Sequence, residues 1–179
     1  MAVIKFKFSP AKARAAVHWM VQSKPGIDLH AMLKACYFAD KKHLNEFGRP
    51  IFGATYRAMR FGPVPLEVYE MAKGDPMWLS ELGATRYPWE IRDGHRLVLS
   101  GNEAPDLSVL STTDMEALDY GLKTSSSMTF SARTEATHGA DWQAADLGIM
   151  RYEDMFEPNA PDRDERIAYL RETGRHLRL

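Results

Sequence analysis

Three groups of residues in this 179-residue chain have side chains whose types and spacing could do chemistry. Asp40 and His43 stand three apart on a stretch with helical periodicity, so both can face one point. That pair could supply two metal ligands, or a histidine oriented by a carboxylate as a general base. Two ligands do not make a metal site, and nothing else resembles a zinc-protease helix or a Cys–His set. The weightier reading is a buried polar pair that ties its helix to a neighbour. Cys36 is the single cysteine. A nucleophile would need a base that no local signature supplies, and a lone cysteine on an apolar helix reads as a small core residue. His138 and Trp142, four apart around Gly139, could stack a ligand. The commoner arrangement is a tryptophan packing anchor beside a histidine that bonds a helix end. Walker, GxGxxG and GxSxG spacings are absent. No catalytic residue, metal ligand or cofactor site is therefore assigned.

The elements that position these residues follow from local signals. Ser9 is an N-cap candidate for a first helix, with Pro10 at N1 and Ala13, Val17, Met20 and Val21 on its apolar face; Lys24-Pro25-Gly26 ends it. Lys12 and Arg14 near its start read as a solvated face. Asp28 caps a second helix running to about Phe47, with Gly48 at C′. Leu29, Met32, Leu33, Cys36, Phe38, Ala39, His43 and Phe47 cover more than one face, which predicts a central helix packed on several sides. A strand follows over Ala54 to Arg60. Phe61-Gly62-Pro63-Val64-Pro65 reads as a rigid extended turn, and Pro65 opens a short helix from Leu66 to Lys73 that stops at Gly74.

Asp93-Gly94 marks a hairpin. A two-residue turn would put Leu97 and Leu99 on the opposite face from Trp89. A three-residue turn over Arg92-Asp93-Gly94 pairs Ile91 with His95, Trp89 with Leu97 and Tyr87 with Leu99, making one face nearly all apolar; this register is expected, with Gly94 left-handed. Thr113-Asp114-Met115-Glu116 fits a capping box for a helix burying Leu118 and Leu122. A helix over Met128 to His138 would bury Phe130 and Ala136. Short segments follow over Asp141 to Gly148 and Tyr152 to Phe156. Asp162 caps a last helix with Ile167, Leu170 and Leu177 inward. The expected fold is α+β, mostly helical: one domain over 1–179 with a small antiparallel sheet made of the 87–100 hairpin and the 54–60 strand.

Composition narrows the function class. Lys plus Arg is 23 and Asp plus Glu is 24, a net charge of −1, which removes the usual electrostatic case for a nucleic-acid binder. With 45% apolar residues, the chain is not globally disordered. No apolar run is long enough for a membrane span and no signal-peptide core opens the chain, so a cytoplasmic location is expected. The methionines, among them Met59, Met71, Met77, Met128, Met150 and Met155, suit either adaptable surfaces or core gaps.

The segment Ala35-Cys36-Tyr37-Phe38-Ala39-Asp40-Lys41-Lys42-His43-Leu44, then Gly48-Arg49-Pro50-Ile51, resembles the opening signature of the Panacea domain. Tyr56, Ala58, Gly62-Pro63-Val64-Pro65 and Val68-Tyr69 continue the likeness, and His138 and Trp142 match its late signature. It covers roughly residues 10 to 145. Cys36 departs from it, since the family more often has a larger aliphatic residue there. The resemblance implies an antitoxin that neutralises a cognate toxin, encoded by the adjacent gene, through protein–protein binding. It implies no enzyme. In the SocA-type branch the antitoxin also delivers its toxin to an AAA+ protease. Tyr37, Phe38, Asp40, His43, Gly48, Tyr56, Gly62, Pro63, Val64, Pro65, Tyr69, His138 and Trp142 are implied to maintain the fold. No toxin-binding residue can be read from them. The segment Arg163 to Leu179, part of a C-terminal helix at about 162–179, is the first candidate for partner contact, against a terminal helix docked on its own domain. Two alternatives stand beside this: a metal-dependent enzyme using Asp40 and His43, and a DNA-binding autoregulator.

Overall fold

The computed structural model describes residues 2–179. Helix α1, Pro10–Ser23, follows an extended segment whose Ile4, Phe6 and Phe8 turn toward the core. Ser9 holds the N-cap position, but no cap bond from its side chain occurs among the described residues. Its backbone N–H instead donates to the Phe52 carbonyl at 2.9 Å, so the helix start is set by a tertiary bond. Strand β1, Ile27–Asp28, leads into α2, Leu29–Phe47. Asp28 accepts from the His30 and Ala31 N–H groups, and Gly48 ends the helix at φ 75°. Helix α2 is the centre of the molecule, with eleven buried residues on several faces.

Strands β2, Tyr56–Met59, and β3, Gly62–Pro65, form an antiparallel pair. The expected proline turn is therefore a strand, and Arg60-Phe61 makes the turn. The register explains why two prolines are tolerated. Val64 lies opposite Arg57, while Pro63 and Pro65 lie opposite Ala58 and Tyr56. Ladder bonds alternate along an antiparallel pair, so Val64 carries them and the proline nitrogens face away from β2. Helix α3, Leu66–Ala72, follows Pro65 as expected; α4, Met77–Leu82, was not anticipated.

Strands β4, Trp89–Arg92, and β5, Arg96–Leu99, pair with Trp89 opposite Leu99 and Ile91 opposite Leu97. The apolar face is as expected, but the register is displaced by two residues. Asp93 and Gly94 both have positive φ and the His95 N–H donates to the Arg92 carbonyl. His95 is then left out of the ladder, and its carbonyl accepts from the Leu29 N–H at 2.7 Å. The 54–60 strand does not join this hairpin. Among the described residues the strands form two small sheets, β1-β5-β4 and β2-β3. The fold is α+β and mostly helical.

Helix α5, Thr112–Ser126, lies along α2. A Cβ on Gly121 would come within 2.3 Å of the Ala35 carbonyl oxygen, so glycine allows the two backbones to approach. Leu118 and Leu122 are buried as expected. The capping box is Ser111 with Asp114, not Thr113 with Glu116. Asp114 has the stronger claim because it is fully buried and also accepts from Lys12 Nζ at 2.7 Å. Lys12 is thus an internal ion-pair partner and not part of a solvated face. Breaking a buried pair by removing one partner costs about 3–5 kcal/mol.

Helix α6, Phe130–Ala136, is shorter than expected and turned the other way. Phe130 and Ala136 are exposed, while Arg133 and Thr137 are buried. Helices α7, Ala140–Ala145, and α8, Tyr152–Met155, precede α9, Arg163–Thr173. Asp162 occupies the last N-cap position at φ 56°, with no cap bond from its side chain among the described residues. Ile167 and Leu170 are buried, and Arg166 donates to the Asn45 carbonyl, so α9 is docked on the body; Tyr169 points outward. Among the described residues no helix is long and apolar enough to cross a membrane.

Candidate binding surface

Helix α2 carries two polar stripes on an otherwise buried surface. One consists of Asp40 and His43, and the two side chains serve different neighbours. Asp40 Oδ1 accepts from the Ile51 and Phe52 N–H groups at 2.7 and 3.3 Å, and Oδ2 accepts from the Tyr56 hydroxyl at 2.7 Å. Full burial pushes this carboxyl up to about 7, against the pull of those three donors. His43 Nδ1 lies 2.8 Å from the Arg49 carbonyl, which can only accept, so Nδ1 carries the proton. Nε2 then accepts from the Thr113 hydroxyl at 2.9 Å. Burial lowers the pKa of His43 and favours this neutral form. Both side chains hydrogen-bond α2 to its neighbours. Among the described residues, no group of three or more His, Cys, Asp or Glu side chains is placed to hold a metal ion. Cys36 is buried with its Sγ 3.8 Å from Met32 Sδ, and burial pushes its thiol pKa up.

The second stripe, His30, Lys34, Tyr37 and Lys41, reaches the β2–β3 hairpin and the α6–α7 region. Lys34 is 1% exposed, and its Nζ donates to the Pro63 carbonyl at 2.8 Å. Burial, then the nearby Arg133 guanidinium, lowers this ammonium to about 7. Arg133 binds the Ser125 and Met128 carbonyls at the end of α5, and its Nη1 lies 3.0 Å from His30 Nδ1. A guanidinium only donates, so Nδ1 accepts and the His30 proton sits on Nε2, which donates to the Phe61 carbonyl at 3.0 Å. Burial lowers His30 to about 4, in keeping with a neutral ring. Tyr37 donates its hydroxyl proton to Asp141, whose Oδ2 also meets Lys41 at 3.2 Å. At the hairpin turn, Gly62 has φ 109°, and a Cβ there would sit 2.4 Å from Thr137 Oγ1 and 2.7 Å from Lys34 Cε.

His138 and Trp142 stack on each other, with ring centroids 3.7 Å apart and planes at 13°. Trp142 Nε1 donates to the Met59 carbonyl at 2.9 Å, so the pair braces the end of β2. The other signature positions are spread around this core. Gly48 ends α2, half-buried Phe38 packs against the core beside Tyr37, and Lys73 lies over the Tyr69 ring. Pro63, Val64 and Pro65 form β3.

The braced hairpin presents Met59 and Phe61 outward, together with Arg57 and Arg60. Met59, Phe61, Phe130, Leu147 and Ile149 are five of the eleven exposed large apolar side chains among the described residues. Phe130, Phe61, Met59 and Ile149 follow one another along a ridge, and Leu147 comes two residues before Ile149. The Phe61 and Phe130 rings meet edge to face at 5.3 Å, Met59 follows along the hairpin, and Ile149 lies opposite Arg57 on the far side of β2. Exposed apolar side chains gathered in this way mark interaction sites more often than scattered ones. Sequence reading missed this ridge and the groups behind it. The spacing of His30, Lys34, Tyr37 and Lys41 (four, three, four) was the available signal for the anchoring stripe. Nothing local marked Leu147 or Ile149.

The geometry is that of a mostly helical α+β domain with a pinned hairpin and an apolar face. Residues 32–143 match the model of the antitoxin SocA-like Panacea domain, from the first turn of α2 into α7. The chain belongs to that antitoxin family. The matched span begins inside α2, so α1 lies outside it. No curated protein and no solved structure matches the chain.

Proposed function

We propose that this antitoxin silences its toxin by direct, stoichiometric protein–protein binding rather than by catalysis, and that it acts in the bacterial cytoplasm. Family membership supports the antitoxin role. The observation that carries the binding mode is the apolar ridge on a hairpin held by Lys34, His30 and Trp142. A pre-ordered surface loses little conformational entropy on association. An interface of standard size, about 1,600 Å² in total, would be enough to cover a toxin's working surface. A few buried aromatic or Arg anchors would carry most of the energy, and the exposed, mutually packed Phe61 and Phe130 support that role. The partner is proposed to be the product of the adjacent gene. Delivery of that toxin to an AAA+ protease is a second step of the same reading.

Co-expression with the adjacent gene is expected to relieve growth arrest and give a complex that co-purifies with equal stoichiometry. Persistent arrest with no complex would refute the reading. For the delivery step, toxin degradation by the purified protease is expected to require this chain. Equal degradation without it would remove that step and leave neutralisation standing.

A further inference from the structure

Residues 148–150 lie beside β2 and join it through a single antiparallel bridge. Arg57 stands opposite Ile149 in the antiparallel sense, closed by Ala58 N–H to the Gly148 carbonyl at 2.9 Å and Met150 N–H to the Tyr56 carbonyl at 2.8 Å. That bond pattern turns the N–H and C=O of Ile149 away from β2. Neither has a hydrogen bond among the described residues. An open edge of this kind is a template for a strand of another chain. The opposite edge of the same sheet is β3, where Pro63 and Pro65 cannot donate. One edge is closed by proline and the other is open.

The surroundings of the open edge suit an incoming strand. Ile149, Arg57 and Met59 share one exposed face. Leu147 is 56% exposed and has φ 62°, directly after Asp146 at φ 46°. The left-handed conformation costs a residue with a Cβ roughly 1–2 kcal/mol, so the backbone holds an apolar side chain in water at a cost. Ile149 also borders a groove of about 360 Å³ shared with Val3, Phe6, Thr55 and Arg151.

Charge indicates the occupant. Arg57 and Arg60 are exposed and form no ion pair among the described residues. Arg151 follows two residues after Ile149, 3.7 Å from Glu153. The acids near this edge are exposed Asp146, next to Leu147, and Glu67, whose Oε2 is engaged by the Thr55 N–H at 2.7 Å. The open rung is thus flanked by arginines and apolar side chains. We propose that the toxin docks an extended segment, with apolar side chains alternating with acidic ones, as an added strand on the Ile149 edge. This rests on the antitoxin reading above.

Ile149→Pro tests the edge directly. It removes an N–H that makes no internal bond, follows a glycine, and leaves the bonds of Gly148 and Met150 in place. Two probes are used: the product of the adjacent gene, and random twelve-residue peptides displayed on phage and selected on the full chain. Selected peptides are expected to alternate apolar and acidic residues. Their affinity and the toxin's are expected to fall at least tenfold with Ile149→Pro, and again with Arg57→Glu, at an unchanged melting temperature. Retention of wild-type affinity by both variants would overturn the proposal, as would selected peptides with no acidic residues. Self-association of the free chain that Ile149→Pro abolishes would overturn it too, since the occupant would be a second copy. If the gene product fails to bind the wild-type chain while selected peptides behave as stated, the assignment of that gene as the toxin fails and the edge stands.

Discussion

The two hairpins have strands of equal length, four residues each, but they are held in different ways. In β4–β5 the turn is mainly local chemistry, with one outside bond from the Leu29 N–H to the His95 carbonyl. Asp93 and Gly94 take positive φ, and Arg92 through Arg96 are all exposed. In β2–β3 the turn is held from outside, by His30 on the Phe61 carbonyl, Lys34 on the Pro63 carbonyl and Trp142 on the Met59 carbonyl. The first is shaped mostly by residues 92–96 themselves. The second exists only when α2, α6 and α7 are in place. A turn fixed by three side chains from other elements is stiff, and it is the one that carries the apolar ridge.

The largest contrast is expected at the turn glycines. Gly62→Ala brings a Cβ against Thr137 Oγ1 and Lys34 Cε at a backbone angle that disfavours side chains. A loss of about 2–4 kcal/mol is expected. Gly94 also has positive φ, at 76°, but nothing lies within 4 Å of its Cβ position. Gly94→Ala should cost about 1 kcal/mol, the conformational penalty alone. Urea unfolding of the two variants checks this, and equal losses would break the comparison.

The next effect is a pH dependence carried by Lys34. Its folded-state value, lowered to about 7 by burial, lies below that of the unfolded chain, near 10.5. Between those values the unfolded state holds more protons, so stability rises with pH from about 7 toward 10. Lys34→Met should flatten that rise, measured as unfolding free energy at pH 7 and pH 9.5. His30 has the same sign in acid. Lowered to about 4, it contributes stability that is lost as pH falls from about 6.5 toward 4. No buried group of the β4–β5 turn adds to either window.

The difference between the hairpins also shows what the sequence could reveal. The ends of α2 were legible because Asp28 and Gly48 act within a few residues of themselves. The apolar face of β4–β5 was legible because alternation is local. Its register was not, because His95 leaves the ladder to accept from Leu29. The proline strand was misread as a turn because its tolerance depends on which way two nitrogens face once β2 is paired. Phe130 was expected inside because it is large and apolar; the buried face of α6 is instead set by Arg133 satisfying carbonyls at the end of α5. Asp40 and His43 were readable as buried polar ties. The ridge was not readable, since Leu147 and Ile149 come to β2 only through the fold.

Smaller effects sharpen the same contrast. Trp142→Phe keeps a ring against His138 and removes the bond to Met59, with an expected cost of about 1 kcal/mol. Arg92→Ala in the exposed turn should stay within about 0.5 kcal/mol and leave toxin binding unchanged, as measured by calorimetry.

Hydrogen exchange on the complex with the adjacent gene's product tests the central claim most directly. The account predicts slowed exchange over residues 57–61 and 147–151, with the Ile149 amide among the most protected, and no change over 92–96. Protection confined to 92–96 or to the C-terminal 163–179 segment, with the Ile149 amide exchanging as in the free protein, would contradict it.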